Sequence, residues 1–156
     1  MHENARLLET FYTCFQRRDG AGMAACYHPD AEFSDPVFPG LKGAQVGGMW
    51  RMLTERSISL ELTFRDIKAD EQRGSAHWEA IYPFSATGRR VHNVIDATFE
   101  FRDGKIYRHL DHFDLYRWMR MALGPKGALL GWAPPVQAAL RKKARAGLDE
   151  YLARRG

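Results

Sequence analysis

Apolar and polar positions along this chain follow two periods, and the change comes near Ile58. Before it, Leu7, Leu8, Phe11, Tyr12, Cys14 and Phe15 recur at helical spacing, which predicts a helix over about Asn4 to Arg18 ended by Asp19-Gly20. A short helix, Ala21 to Cys26, follows. His28-Pro29-Asp30 reads as a turn and Ala31 to Ser34 as a short strand, broken into a loop by Pro36 and Pro39-Gly40. Val46, Met49, Trp50 and Leu53 mark a third helix, about Ala44 to Arg56. From Ile58 the period is two: Ile58, Leu60, Leu62 and Phe64 alternate with Ser59, Glu61, Thr63 and Arg65. Asp70 to Gly74 is a polar turn and Ser75 to Ser85 the next strand. Val91 to Phe113 reads as a long hairpin turning at Arg102-Asp103-Gly104-Lys105, because Asp-Gly between β-branched and aromatic runs is a strong hairpin signal. Asp114 to Leu123 is helical, Gly124 to Gly127 stops it, and a last helix runs from about Val136 to Leu152. Its stripe of Val136, Leu140, Ala144, Leu148 and Leu152 could close over the body or dock on a second subunit. Helices followed by antiparallel strands make an α+β fold.

Alternation sorts the strand residues into faces. His77, Glu79 and Ile81 share one face, and Trp78, Ala80 and Tyr82 the other. His92, Val94, Asp96, Thr98 and Glu100 oppose Asn93, Ile95, Ala97, Phe99 and Phe101. On the last strand Tyr107, His109, Asp111 and Phe113 share a face, and His112 takes the other. Asp96, His109 and Asp111 are costly inside a sheet, so they either sit on a wet face or line a pocket. The expectation taken forward is the pocket, with His77, Glu79, Asp96, His109 and Asp111 pointing inward. The apolar set from Trp78 to Phe101 then faces outward, where it would pair with a second copy.

The remaining numbers narrow the class. A chain of 156 residues, 45% hydrophobic and 27% charged, has the size and composition of one globular domain. No apolar run reaches the ~20 residues of a bilayer span, and the N-terminus lacks a signal core, so a cytoplasmic protein with no membrane partner is expected. Cys14 and Cys26 fall in helical apolar patterns, as buried free thiols do. The net charge of +4 gathers in the C-terminal tail without interleaved aromatics, which argues against nucleic acid. There is no internal repeat and no known metal-ligand spacing; no metal or cofactor is expected.

The phrase YHPDAEFSDPVFPGLKG, the helices around it and the strand VIDATFEFRDGKI resemble the NTF2-like superfamily over about residues 1–115. The resemblance implies a cone: a curved antiparallel sheet around a pocket that helices close. Residues 116–156 would be a helical extension packed on the same domain. It also implies site residues. Tyr12, Asp35 (in Ser34-Asp35-Pro36) and Asp96 (in Val94-Ile95-Asp96) match the ketosteroid isomerase pattern, in which an Asp base works with Tyr and Asp donors at a developing oxyanion. The polar strand residues depart from that apolar pocket and point to a smaller or more oxygenated substrate. SnoaL-type cyclases and epoxide hydrolases use an inner-face Asp, often with a His or Arg partner, as His109 and Asp111 would supply. His77, Glu79, Phe113 and Trp50 would contact the ligand. Each residue also has a plainer role: Asp35 as a turn cap, Asp96 as a structural carboxylate, Tyr12 as core, His109 with Asp111 as a hydrogen-bonded core pair. Two functions fit. One is a cofactor-independent acid/base enzyme on a small carbonyl, epoxide or polyketide-like compound. The other is a non-catalytic ligand-binding or dimerisation module.

Overall fold

The Asp103-Gly104 turn sets the register of the sheet. In the computed structural model, which describes residues 1–155, Asp103 (φ 53°) and Gly104 (φ 74°) both lie in the left-handed region, which a tight two-residue hairpin loop requires. This turn joins β5 (Arg90–Arg102) to β6 (Lys105–His112), with Arg102 opposite Lys105. The other strands are β1 (Tyr27–Ser34), β2 (Leu41–Lys42), β3 (Glu61–Ala69) and β4 (Arg73–Pro83). They form one curved, unclosed sheet in the order β2-β1-β6-β5-β4-β3. All neighbours are antiparallel except β1 and β6. β1 is longer than the sequence indicates: His28 to Ala31 are absorbed as an irregularity between Tyr27, paired with Ile106, and Glu32, paired with Arg108. β2 falls where a loop was expected.

Three helices precede the sheet's long strands: α1 (Glu3–Gln16), α2 (Gly20–Ala25) and α3 (Ala44–Arg56). The Asp19 side chain caps α2 by accepting from the Gly22 N–H at 2.8 Å. Leu8, Phe11, Tyr12 and Phe15 of α1 meet Val46, Met49 and Trp50 of α3 and the sheet residues Phe33, Trp78, Ile95, Ala97 and Phe99 in one buried core. Each large apolar side chain there contributes roughly 1.5–3 kcal/mol by leaving water.

Three helices follow: α4 (Leu115–Leu123), α5 (Pro125–Leu130) and α6 (Pro134–Arg155). α5 is helical where the sequence suggested only a stop and an apolar link. Leu115, Trp118, Met119 and Ala122 of α4 build a second cluster with Val91, and Val37, Tyr82 and Phe113 touch both clusters. α4 therefore caps the end of the cone at which the Asp35 loop lies. α6 runs back along α3. Its Leu148 is fully buried, and Leu152 packs so closely on Gly48 that a Cβ there would lie 2.3 Å from Leu152 Cδ2. Arg141 Nε donates to the Pro36 carbonyl at 2.8 Å, and Arg155 pairs with Glu55.

The face assignment is the main correction. Trp78, Ala80, Ile95, Ala97 and Phe99, expected outside, are buried against the helices. His77, Glu79, His92 and Asp96, expected inside or left open, lie on the outer face, and the Asp96 side chain is 77% exposed. Strand pairing makes this one decision rather than several. Asp96 is opposite His77 and His112, whereas Ala97 is opposite Asp111 and Phe99 opposite His109. Asp96 and Asp111 thus occupy opposite faces. Turning the polar set inward would have exposed Trp78, Ile95 and Phe99 and desolvated several charges, at a cost of several kcal/mol per unpaired ion. The apolar residues named for an outer contact between copies are consequently core. A bulge at Tyr107, between the pairs Glu100–Arg108 and Phe101–Ile106, keeps both Ile106 and His109 inward and leaves Tyr107 half-exposed under the Arg102 guanidinium, 3.8 Å away.

Candidate active site

Four side chains from three elements form a continuous buried hydrogen-bond chain inside the cone. Trp50 Nε1 of α3 donates to the Tyr27 hydroxyl at 2.8 Å. The Tyr27 hydroxyl lies 2.7 Å from His109 Nδ1, and His109 Nε2 lies 2.8 Å from Asp111 Oδ1. With a neutral imidazole, one pattern satisfies every contact: Tyr27 O–H donates to Nδ1, and Nε2–H donates to the carboxylate. Trp78 Nε1 donates to the same Asp111 oxygen at 3.3 Å. The side chains of His109 and Asp111 are 0% and 1% exposed. Phe99, Phe33, Phe11 and Trp50 wall the imidazole, with ring centroids 4.3 to 6.2 Å away.

Two polar atoms in this region have no partner among the described residues. They are Asp111 Oδ2 and the Tyr12 hydroxyl, both fully buried. Burial, then the Asp111 carboxylate, push the Tyr12 phenol well above its usual pKa; the same two causes act on Tyr27, opposed by the Trp50 N–H. Tyr12 thus stays protonated and offers an O–H to whatever sits beside it. A buried polar atom without a partner costs roughly 1–3 kcal/mol, and this core carries two, one of them an oxygen of the Asp111 carboxylate.

Asp35 lies between the chain and the cap. Its Oδ1 accepts from the backbone N–H groups of Val37 at 2.7 Å and Phe38 at 2.6 Å, so it does cap the turn after β1. Burial raises its pKa to about 6, with the Asp111 charge adding to the rise; the Phe38 and Val37 N–H groups and His109 oppose it. Tyr82 feels the Asp35 charge and accepts from Trp118 Nε1 at 2.8 Å, which ties the α4 cap to this loop.

Of the residues read from the sequence, Tyr12, His109, Asp111 and Trp50 are buried in the interior, and Asp35 and Phe113 are half-buried near the cap. His77, Glu79 and Asp96 are on the outer face. Tyr27, Trp78 and Tyr82 were missed as site residues. Trp78 was assigned to the wrong face, and Tyr27 reaches His109 only through a β1–β6 pairing of residues 82 apart. On the outer face an open trough of about 580 Å³ runs between Glu32, Lys42, Arg73, Thr98, Glu100 and Arg108; its floor includes Phe99 and His109 but none of Tyr12, Asp35 and Asp111. Among the described residues no group of three or more His, Cys, Asp or Glu is arranged to hold a metal ion, and no helix is long and apolar enough to cross a membrane.

A six-stranded curved sheet closed by helices around a buried acid/base cluster defines the class: this is the NTF2-like fold. The SnoaL-like domain model matches residues 8–109, and the chain belongs to that family. Similar solved structures include an LEH-like epoxide hydrolase of M. tuberculosis (22% identity, TM-score 0.64, covering 83% of this chain and 96% of that one). Others are a polyketide cyclase, so named provisionally, from Xanthomonas campestris (22%, 0.63, 76% and 96%) and an NTF2-like protein of unknown function from Burkholderia pseudomallei (18%, 0.67, 78% and 98%). At these identities the likeness concerns the fold. No curated protein matches the chain in sequence.

Proposed function

We propose that the chain is a cofactor-independent acid/base enzyme acting on a small carbonyl, epoxide or polyketide-like compound inside the cone. The observation that carries this reading is that one core holds two buried polar atoms without a partner, Oδ2 of Asp111 and the hydroxyl of Tyr12, and that the Asp111 charge acts on the Tyr12 phenol. In this assignment Asp111 takes a proton from substrate through Oδ2. His109 and Tyr27 hold the carboxylate in place and spread its charge through their chain of hydrogen bonds. Tyr12 donates to the oxygen on which charge develops, in a water-poor setting where such a bond counts most. Asp35, with a pKa raised to about 6, is half-protonated near that pH and exchanges a proton beneath the α4 cap. The epoxide hydrolase-like and cyclase-like neighbours support the general kind of chemistry.

The test is a panel of small β-dicarbonyl, aryl ketone and epoxide compounds, followed by NMR, with Asp111→Asn and Tyr12→Phe beside the wild type. We expect turnover of at least one class, loss of it by at least a hundredfold in Asp111→Asn, and a smaller loss in Tyr12→Phe. Wild-type rates in Asp111→Asn would remove the assignment. The second reading, a non-catalytic binding module, is favoured by the dense aromatic packing around His109. It predicts chemical-shift changes at Tyr12 and His109 on ligand addition with no product formed.

A further inference from the structure

The corner between α5 and α6 breaks the pattern of the rest of the surface. Leu129 is 72% exposed, Trp132 66% and Leu130 46%, three large apolar side chains within four residues. Their exposure is fixed by the backbone. Tyr116 donates its O–H to the Ala128 carbonyl at 2.7 Å, and Gln137 Nε2 donates to the Gly131 carbonyl at 2.8 Å. The Trp132 indole N–H is already used on the Leu129 carbonyl at 2.9 Å, so the corner projects apolar surface with no polar demand of its own. Such a cluster on a braced corner is more than scattered surface leucine.

Charge supplies the second observation. From Leu115 to Leu148 the sequence holds seven Lys/Arg and no Asp or Glu. Arg117 and Arg141 are spent on the carbonyls of His92 and Pro36, and Arg145 pairs with Asp149. Arg120, Lys126, Lys142 and Lys143 are exposed and make no ion pair among the described residues. Arg120 lies over the Tyr116 ring, which is bonded to α5, and Lys126 is in α5 itself. At a rise of about 1.5 Å per residue, Lys142 and Lys143 sit about 12 Å along α6 from the corner.

We infer that the α5–α6 corner is a docking surface for an anionic lipid bilayer, with Leu129, Leu130 and Trp132 entering the headgroup region and the four lysine and arginine side chains resting on it. Protruding Leu and Trp on a segment whose only charged residues are Lys and Arg is the chemistry that an acidic lipid surface recognises. A two-fold contact with a second copy would set this basic corner against itself. Nucleic acid would find one aromatic and two leucines where it needs a basic groove with stacking rings. The sequence expectation of no membrane partner rested on the absence of a spanning segment, and a surface contact needs none. The corner joins directly to the α4 cap over the Asp35 loop, so a docked molecule would present its closed end to the membrane. The inference stands independently of the chemistry proposed for the interior.

The test is co-sedimentation of the full chain with large vesicles, either pure phosphatidylcholine or with about one-third phosphatidylserine. We expect binding to the acidic vesicles, at least tenfold weaker to neutral ones and lost at about 0.5 M salt. The double variant Leu129→Ser/Trp132→Ser should lose binding at least tenfold with an unchanged circular dichroism spectrum and Tm, since both side chains are exposed. Lys142→Glu/Lys143→Glu should weaken binding to acidic vesicles only. No binding by the wild type overturns the inference, as does binding that survives the Leu129/Trp132 double variant. A solution dimer that Trp132→Ser dissociates would assign the corner to a second copy and overturn it too.

Discussion

The same sheet carries two histidine–carboxylate clusters, one on each face. Inside, His109 and Asp111 are bonded at 2.8 Å, out of reach of water. Outside, His77 lies 2.9 Å from both Asp96 and Glu79, and Glu79 lies 2.8 Å from His92, with Asp96 open to solvent. The bond lengths are alike and the surroundings are not. In the inner cluster every missing partner costs desolvation, so an unpaired Oδ2 is significant. In the outer ladder solvent reaches Asp96 and His92 and can replace a partner lost there, and such pairs contribute little. Residue type and contact distance therefore do not single out the candidate site; burial does.

The comparison breaks most sharply on Asp111→Ala. It strands the His109 Nε2–H and the Trp78 N–H in a dry interior, and we expect a loss of roughly 3 kcal/mol or more by urea denaturation. A loss below about 1 kcal/mol would place Asp111 with the outer residues.

Asp35→Asn comes next and has the opposite sign. The folded chain raises the Asp35 pKa from 3.8 to about 6, so it holds the proton more tightly than the unfolded chain does. Stability then falls as pH rises from about 4 to about 6 and stays reduced above. Asn keeps an oxygen for the Val37 and Phe38 N–H groups and carries no charge. At pH 7–8 the variant should be more stable by about 1–3 kcal/mol, the full shift discounted because the side chain is half-buried. Its stability should be flat across the window where the wild type slopes. A wild type whose stability rises through that window would refute the raised pKa.

The smallest effect is expected outside. Asp96→Ala should change stability by no more than roughly 0.5 kcal/mol. Its readout is the His77 titration, whose pKa is raised by Asp96 first and Glu79 second. Whatever stability that pairing adds is present below the ordinary histidine value and is lost as pH rises through the raised one. NMR should show the His77 midpoint moving down in Asp96→Ala; an unmoved midpoint would mean that the ladder is not coupled.

Much of the fold was legible from local pattern. The stripes of α1 and α3, the period of two from β3 onward, the Asp103-Gly104 turn and the four-residue stripe of α6 all depend on neighbours in sequence. The phrases around Asp35 and Asp96 carried the family. The site was legible in part, because parity tells which residues share a face but not which face a polar set takes. The costly residues His77, Glu79 and Asp96 were given the interior, and Trp78, Ile95 and Phe99 claimed it.

The sequence by itself determined the α+β class, the hairpin and the pairing of His109 with Asp111 on one face, since each follows from spacing along a single strand or helix. Only the tertiary structure decided that Tyr27 would meet His109, that Tyr12 and Asp111 would each keep a free polar atom in a dry interior, and that Asp96 would stand in water. Those outcomes depend on cross-strand register, on the bulge at Tyr107 and on which face buries more apolar area. They are properties of the whole sheet closing on its helices, to which no local segment has access.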